Sequence, residues 1–329
     1  GSYGLLKSGE KIKRFLSEGV MEERKEIKTV AIIGLGALGI LIGNKLAKSM
    51  PKEDLRIVAD QKRIEKYKSE GVYDMGELCD FNYVSSDEKT EPADLVIFAV
   101  KFNALPDALE AVKNQVGENT LFLSILNGIS SEEFIAGAYS PQQVIYAVAQ
   151  GMDAVKEGNK LTYLNRGTVF FGDDTSGKKK ELVERVERFF KRVNLPHEKV
   201  DDIKRRIWNK FMLNVGINQT LAVFGNTYID AQSPGKTQDV MLAAMREVIP
   251  LARKEGVNLS EDDIPYWLGI INTLNPEGKP SMRQDVEAKR PSELEMLGGT
   301  VLALGKKHGI ETPVNKMLYE RLKEIEAAY

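Results

Sequence analysis

Lys210, Asn214 and Asn218 stand four residues apart along one run of the chain. That spacing puts all three on one face of a helix. Phe211, Leu213, Val215 and Ile217 lie among them. An ammonium and two carboxamides are costly to bury without partners, so the stripe is either solvated or aimed at something polar. A lysine whose pKa is tuned by burial or by a neighbouring charge can protonate the oxygen of a carbonyl under reduction. The only two histidines, His197 and His308, are too few and too badly placed for a His/Asp hydride-transfer pair and read as surface residues.

A second constellation lies near the N-terminus. Gly34-Leu35-Gly36-Ala37-Leu38-Gly39 follows the β-branched run Thr29-Val30-Ala31-Ile32-Ile33 and opens a helical pattern through Lys48. In a strand–turn–helix of this kind the first glycine permits the tight turn and the second lets the backbone approach a pyrophosphate. The third allows close helix packing, and the helix N-terminus offers free N–H groups. Asp60 stands just after the next strand, Leu55-Arg56-Ile57-Val58-Ala59. An acid there accepts both ribose hydroxyls of NAD and repels the 2′-phosphate of NADP. Lys62 and Arg63 follow at once and can reach a 2′-phosphate, so NADH and NADPH both stand as cofactors.

These residues need elements to hold them. Further strand runs fall at Leu95 to Val100, Leu121 to Ile125 and Val144 to Val148, with segments around Thr162 and Val169 to Phe171 read as a terminal hairpin or edge strands. Strands alternating with helices predict a parallel, doubly wound sheet with right-handed crossovers. From Asp201 the pattern turns helical, over Ile203 to Phe224, Gln238 to Glu255 and Pro291 to His308. The expected fold is α/β: a Rossmann-type domain over 28–200, an all-helical domain over 201–329, and an extension over 1–27. Ile12, Phe15 and Leu16 in that extension have the spacing of a short amphipathic helix. The active site belongs in the cleft between the domains.

Composition narrows the function classes. The chain has 329 residues, 42% hydrophobic and 29% charged, with a formal net charge of −2. Near-neutral charge argues against a nucleic-acid partner, which needs a concentrated basic face. The apolar stretch Thr29 to Gly43 is too short to cross a bilayer. One cysteine, Cys79, excludes an internal disulfide and a cysteine-rich metal site, and points to the reducing cytoplasm. No metal is expected.

Several separated motifs occur together in order: Trp208-x-Lys210-x-x-x-Asn214-x-x-x-Asn218, Leu126-Asn127-Gly128 after the fourth strand, and Ser281-Met282-x-Gln284-Asp285 followed by Glu293. With Gly309-Ile310-x-Thr312-Pro313-Val314-Asn315 near the C-terminus, the chain from about Lys28 to its end resembles the ketopantoate reductases. The resemblance implies NADPH-dependent reduction of 2-dehydropantoate to (R)-pantoate, on the route to pantothenate and coenzyme A. It makes Lys210 the general acid and Glu293 the second essential residue. Asn214, Asn218 and Ser281 would bind substrate, Asn127 would lie where cofactor and substrate meet, and Lys101 would contact the cofactor. In such reductases the helical domain often supports a homodimer. Glu293 could hold the ammonium or accept from a substrate hydroxyl; Pro291-Ser292-Glu293 is equally a plain helix opening.

Two departures from the family pattern matter. Asp60 stands where the family commonly has arginine, and Phe102-Asn103-Ala104 replaces its usual aromatic and glutamine after the lysine. Two other readings therefore stand beside the first: an NADH-dependent D-2-hydroxyacid dehydrogenase for another branched or aromatic 2-oxo acid, and a non-catalytic dinucleotide sensor.

Overall fold

Val30, Ala31, Ile32 and Ile33 are all buried, as a central parallel strand covered on both faces requires. They form β1 (Val30–Ile33), and the glycine turn leads into α1 (Ala37–Ala47). The computed structural model describes residues 26–329; the helix read around Ile12, Phe15 and Leu16 lies outside the described residues.

Next come β2 (Leu55–Ala59), α2 (Gln61–Glu70), the short β3 (Tyr73–Asp74) and β4 (Glu77–Leu78), then β5 (Tyr83–Ser85) and β6 (Leu95–Phe98). After α3 (Leu105–Ala111), β7 (Leu121–Ser124) and α4 (Ser131–Ala138), the long β8 (Val144–Met152) runs into β9 (Val155–Glu157) and β10 (Lys160–Thr162). The series ends with β11 (Arg166–Gly172), α5 (Lys180–Arg192) and β12 (His197–Val200).

Eight strands make one sheet in the order β12-β11-β8-β7-β6-β1-β2-β5. All its pairings are parallel except β11 with β8. In register, Ile32 lies opposite both Ile57 and Ile97. Side chains alternate between the two faces. Ile32, Ile57, Ile97 and Leu123 pack with α1 and α5, whereas Ile33, Val96, Phe98 and Phe122 pack with α3 and α4. Strand order reverses between β1 and β6, which opens a crevice at the carboxyl ends of these two strands.

Of the segments read as a terminal hairpin or edge strands, the one around Thr162 does form a hairpin: Thr162 closes β10, which pairs antiparallel with β9 in a separate four-stranded sheet, β4-β3-β10-β9. β11 is interior, with Val169 and Phe171 buried. The edge on that side is β12, whose His-Glu-Lys-Val sequence has too little apolar signal to be read as a strand. Its pairing to β11 is supplied by the sheet, not by side-chain propensity.

The helical half begins at α6 (Ile203–Phe224), capped by Asp202 accepting from the Arg205 N–H, and continues through α7 (Tyr228–Gln232) and α8 (Lys236–Lys254). α9 (Asp263–Ile271), α10 (Ser281–Glu287), α11 (Thr300–His308) and α12 (Pro313–Ala327) complete it. α6 is buried along most of its length against α8, α10 and α12. The helix expected from Pro291 starts later: the Ser292 N–H donates to Glu326, and a π-helical turn, Glu295–Gly299, precedes α11. The wider turn buries Met296, Leu297 and Gly298 in succession.

Phe171 is fully buried and meets the Phe190 ring edge-on at 5.1 Å. Phe171→Ala is expected to lower stability by about 3–5 kcal/mol, read as a shifted denaturant midpoint with unchanged slope. A midpoint equal to that of the parent protein would remove this ring from the core.

Candidate active site

At the end of β1, Gly34 turns with φ +106°, and a Cβ there would lie 2.6 Å from the Ala99 carbonyl beyond β6. Only glycine allows both the conformation and the approach. A Cβ on Gly39 would lie 1.9 Å from the Gly34 oxygen, so helix and turn are in direct contact. The outer side of Gly36 is clear: the nearest atom to a Cβ would be 3.7 Å away. Gly36 caps α1 with no side-chain bond and no acid in the first turn. The N–H groups of Ala37, Leu38 and Gly39 therefore open outward without a side-chain cap, and the cradle fits the pyrophosphate of a dinucleotide. Between the glycines, the buried Leu35 turns its carbonyl to Lys156 of β9, which donates to it at 2.8 Å.

Asp60 caps α2: Oδ1 accepts from the Arg63 N–H at 2.8 Å, and Oδ2 lies 3.6 Å from the Arg63 guanidinium. Its side chain is 58% exposed, so it remains open to a ribose. Lys101, beyond β6, reaches across to α10 and pairs with Asp285 at 3.2 Å. The Asp285 side chain is 8% exposed and also takes Arg290 at 3.1 Å. Its ion pairs are a tertiary fact that the motif around Ser281 could not show.

On α6 the ammonium of Lys210 donates to Asn127 Oδ1 at 2.9 Å and to the Ala149 carbonyl of β8. Burial holds its pKa down at about 8, and the charge of Glu293 works against that fall. A charged form deprived of water is the less stable one, which is why an amine shifts downward. The turn after β7 presents Asn127 because Gly128 adopts φ +90°, where a Cβ would meet Met296 at 2.7 Å.

Glu293 lies ahead of the π-helical turn and accepts from the Phe102 N–H at 3.1 Å. Burial raises its pKa, against the opposing pull of that N–H and of Lys101. Glu293 and Lys210 make no direct ion pair, so the ammonium is positioned by Asn127 and Ala149.

Asn127, Asn218, Ser281, Asp285 and Glu293 line one recess of about 230 Å³, with Met282, Met296 and Leu297 as its apolar wall. Asn218 is 8% exposed and Ser281 opens α10 at the rim. Asn214, equally buried, lies on the same face of α6 between Lys210 and Asn218 and is not part of the lining. A second recess, about 270 Å³, between α1 and β11 is mostly apolar. Size does not separate the two; convergent polar groups do.

Both histidines are half-buried and bonded, a correction to their reading as surface residues. His197 Nδ1 contacts the Leu195 carbonyl and His308 Nε2 contacts Glu255. Neither lines the polar recess. Among the described residues no cluster of His, Cys, Asp or Glu could hold a metal, and no helix is long and apolar enough to cross a membrane.

Comparison with known proteins now places the chain. The family models described as Ketopantoate reductase PanE/ApbA and its C-terminal counterpart match residues 30–175 and 202–326. A 2-dehydropantoate 2-reductase of Aquifex aeolicus is 26% identical over 302 residues, 90% of this chain and 96% of that protein. A PanE/ApbA family ketopantoate reductase from Ralstonia eutropha JMP134 superposes with a TM-score of 0.77 at 26% identity, covering 91% and 99% of the two chains. The ternary structure of D-mandelate dehydrogenase with NADH and anilino(oxo)acetate shares the fold at 21% identity, with a TM-score of 0.79 and coverage of 91% and 98%. With both family models matched in order across the glycine cradle and the Lys210 helix, the chain belongs to the ketopantoate reductase family.

Proposed function

We propose that this chain reduces 2-dehydropantoate to (R)-pantoate with a nicotinamide dinucleotide, in the cytoplasmic synthesis of pantothenate and coenzyme A. The observation that carries the reading is the ammonium of Lys210, held by Asn127 and Ala149 beside a recess lined by five polar side chains. A small acid bearing a carboxylate, a keto oxygen and a hydroxyl matches that lining better than an aromatic acid, whose ring would leave buried polar groups unpaired.

When bound, a reduced nicotinamide supplies the hydride. Lys210 acts on the keto oxygen: its cation stabilises the negative charge that grows there and then transfers a proton, leaving the alcohol and a neutral amine that water reprotonates. A pKa near 8 suits this role, because the amine is mostly protonated at neutral pH and still a competent acid. Asn127 keeps the ammonium in place. Glu293, already committed to the Phe102 N–H through one oxygen, has the other for a substrate hydroxyl. Asn218 and Ser281 are assigned to the carboxylate and hydroxyl ends of the substrate, with Asn214 supporting them from the same helical face.

Lys210→Met is expected to lower kcat/KM by roughly 10²–10⁴-fold while the melting temperature holds; near-normal turnover would take Lys210 out of the mechanism. Because the acid must be protonated, turnover of the parent enzyme should fall as pH rises through about 8. A profile flat across that range would assign the proton to another donor. The deciding assay is the initial rate of 2-dehydropantoate reduction with NADPH and NADH in parallel, against 2-oxoisovalerate and phenylglyoxylate. Fast dehydropantoate turnover sustains the proposal. Its absence, with rapid NADH-linked reduction of a comparison acid, replaces it with a D-2-hydroxyacid dehydrogenase.

A further inference from the structure

The second sheet carries a cation to the glycine cradle. β10 pairs with β3, which follows α2, and with β9, which bears Lys156. This arrangement brings the Lys156 ammonium onto the Leu35 carbonyl between Gly34 and Gly36. Its surroundings are cationic: burial first, then Lys66, Arg63 and Lys101, all act to lower its pKa. Arg63 and Lys66 are three apart on α2 and share one side of that helix.

Two of the four cations have carboxylate partners, Arg63 with Asp60 and Lys101 with Asp285. Lys66 and Lys156 have none among the described residues. Gathering like charges around a half-buried ammonium is uphill unless an anion shares the space. The cradle beside them is the place for a dinucleotide, which brings a pyrophosphate and, in NADPH, a 2′-phosphate.

We propose that Lys156 and Lys66 form a phosphate-binding pair beside the glycine loop, a cofactor contact delivered by the second sheet and by α2. The inference rests on the reading that the loop holds a nicotinamide dinucleotide. It explains how Asp60 and a phosphate-rich cofactor can coexist, since the pair sets two unpaired positive charges against one capped carboxylate. Lys156 also ties β9 to the loop, so the site is assembled only when the second sheet is folded.

The test is calorimetric titration of NADPH and of NADH into the substrate-free protein, with Lys156→Met, Lys156→Arg and Lys66→Ala beside the parent. Each charge-removing variant is expected to weaken binding by about tenfold or more, with Lys156→Arg retaining most of the affinity. An equal loss for both cofactors assigns the pair to the pyrophosphate, and a larger loss for NADPH assigns it to the 2′-phosphate; either supports the proposal. Unchanged affinity for both cofactors in Lys156→Met and Lys66→Ala overturns it. If Lys156→Met melts early, the exposed Lys66→Ala carries the result. Failure of the functional reading is distinct: it would show as no dehydropantoate turnover by a parent protein that still binds dinucleotide.

Discussion

An ammonium taken out of water must find acceptors, and Lys210 finds them on the other half of the molecule. Its helix belongs to the helical half, whereas Asn127 and Ala149 belong to the end of the sheet. Left alone, a buried cation costs several kcal/mol, so docking α6 against β8 and the turn after β7 is a condition of having this lysine inside at all. The same docking leaves the ammonium with a lowered pKa and a recess of polar groups beside it.

Two further bonds cross the cleft in the same sense. Lys101 reaches from the sheet to Asp285, and Glu293 reaches from the helical half to the Phe102 N–H. Each pairs a group from one half with a group from the other, so the recess is a product of the interface. Position matters as much as partners. The strand reversal between β1 and β6 sets the glycine loop next to Ala99, and Lys101 and Phe102, two and three residues on, meet Asp285 and Glu293 of the helical half.

Much of this was legible along the chain because it repeats with a period. Buried parallel strands are continuous apolar runs, and the α6 stripe recurs every fourth residue, so strands, glycine loop and lysine helix could be placed from spacing. The second sheet could not. Its strands are two or three residues long and mostly polar, and β12 is a polar edge strand whose order comes from its neighbour. The start of the helix read over Pro291 to His308 was misplaced for a similar reason, since the Ser292 N–H is held by Glu326 from a distant helix.

The sequence by itself determined the α/β and helical halves, the cradle at Gly34 to Gly39 and the identity of Lys210, Asn127, Asn218, Ser281 and Glu293 as residues to watch. The two halves, the cradle and the stripe that holds Lys210 and Asn218 follow from residue type and local period, which depend on neighbours a few positions away; Asn127, Ser281 and Glu293 were marked by the resemblance to the ketopantoate reductases. Only the tertiary structure decided that Asn127 and not Glu293 holds the ammonium, that Asp285 holds Lys101, and that Lys156 reaches Leu35. Those contacts join residues 83, 184 and 121 positions apart, and nothing in a local pattern encodes which side chains a packed interface will bring within hydrogen-bond distance.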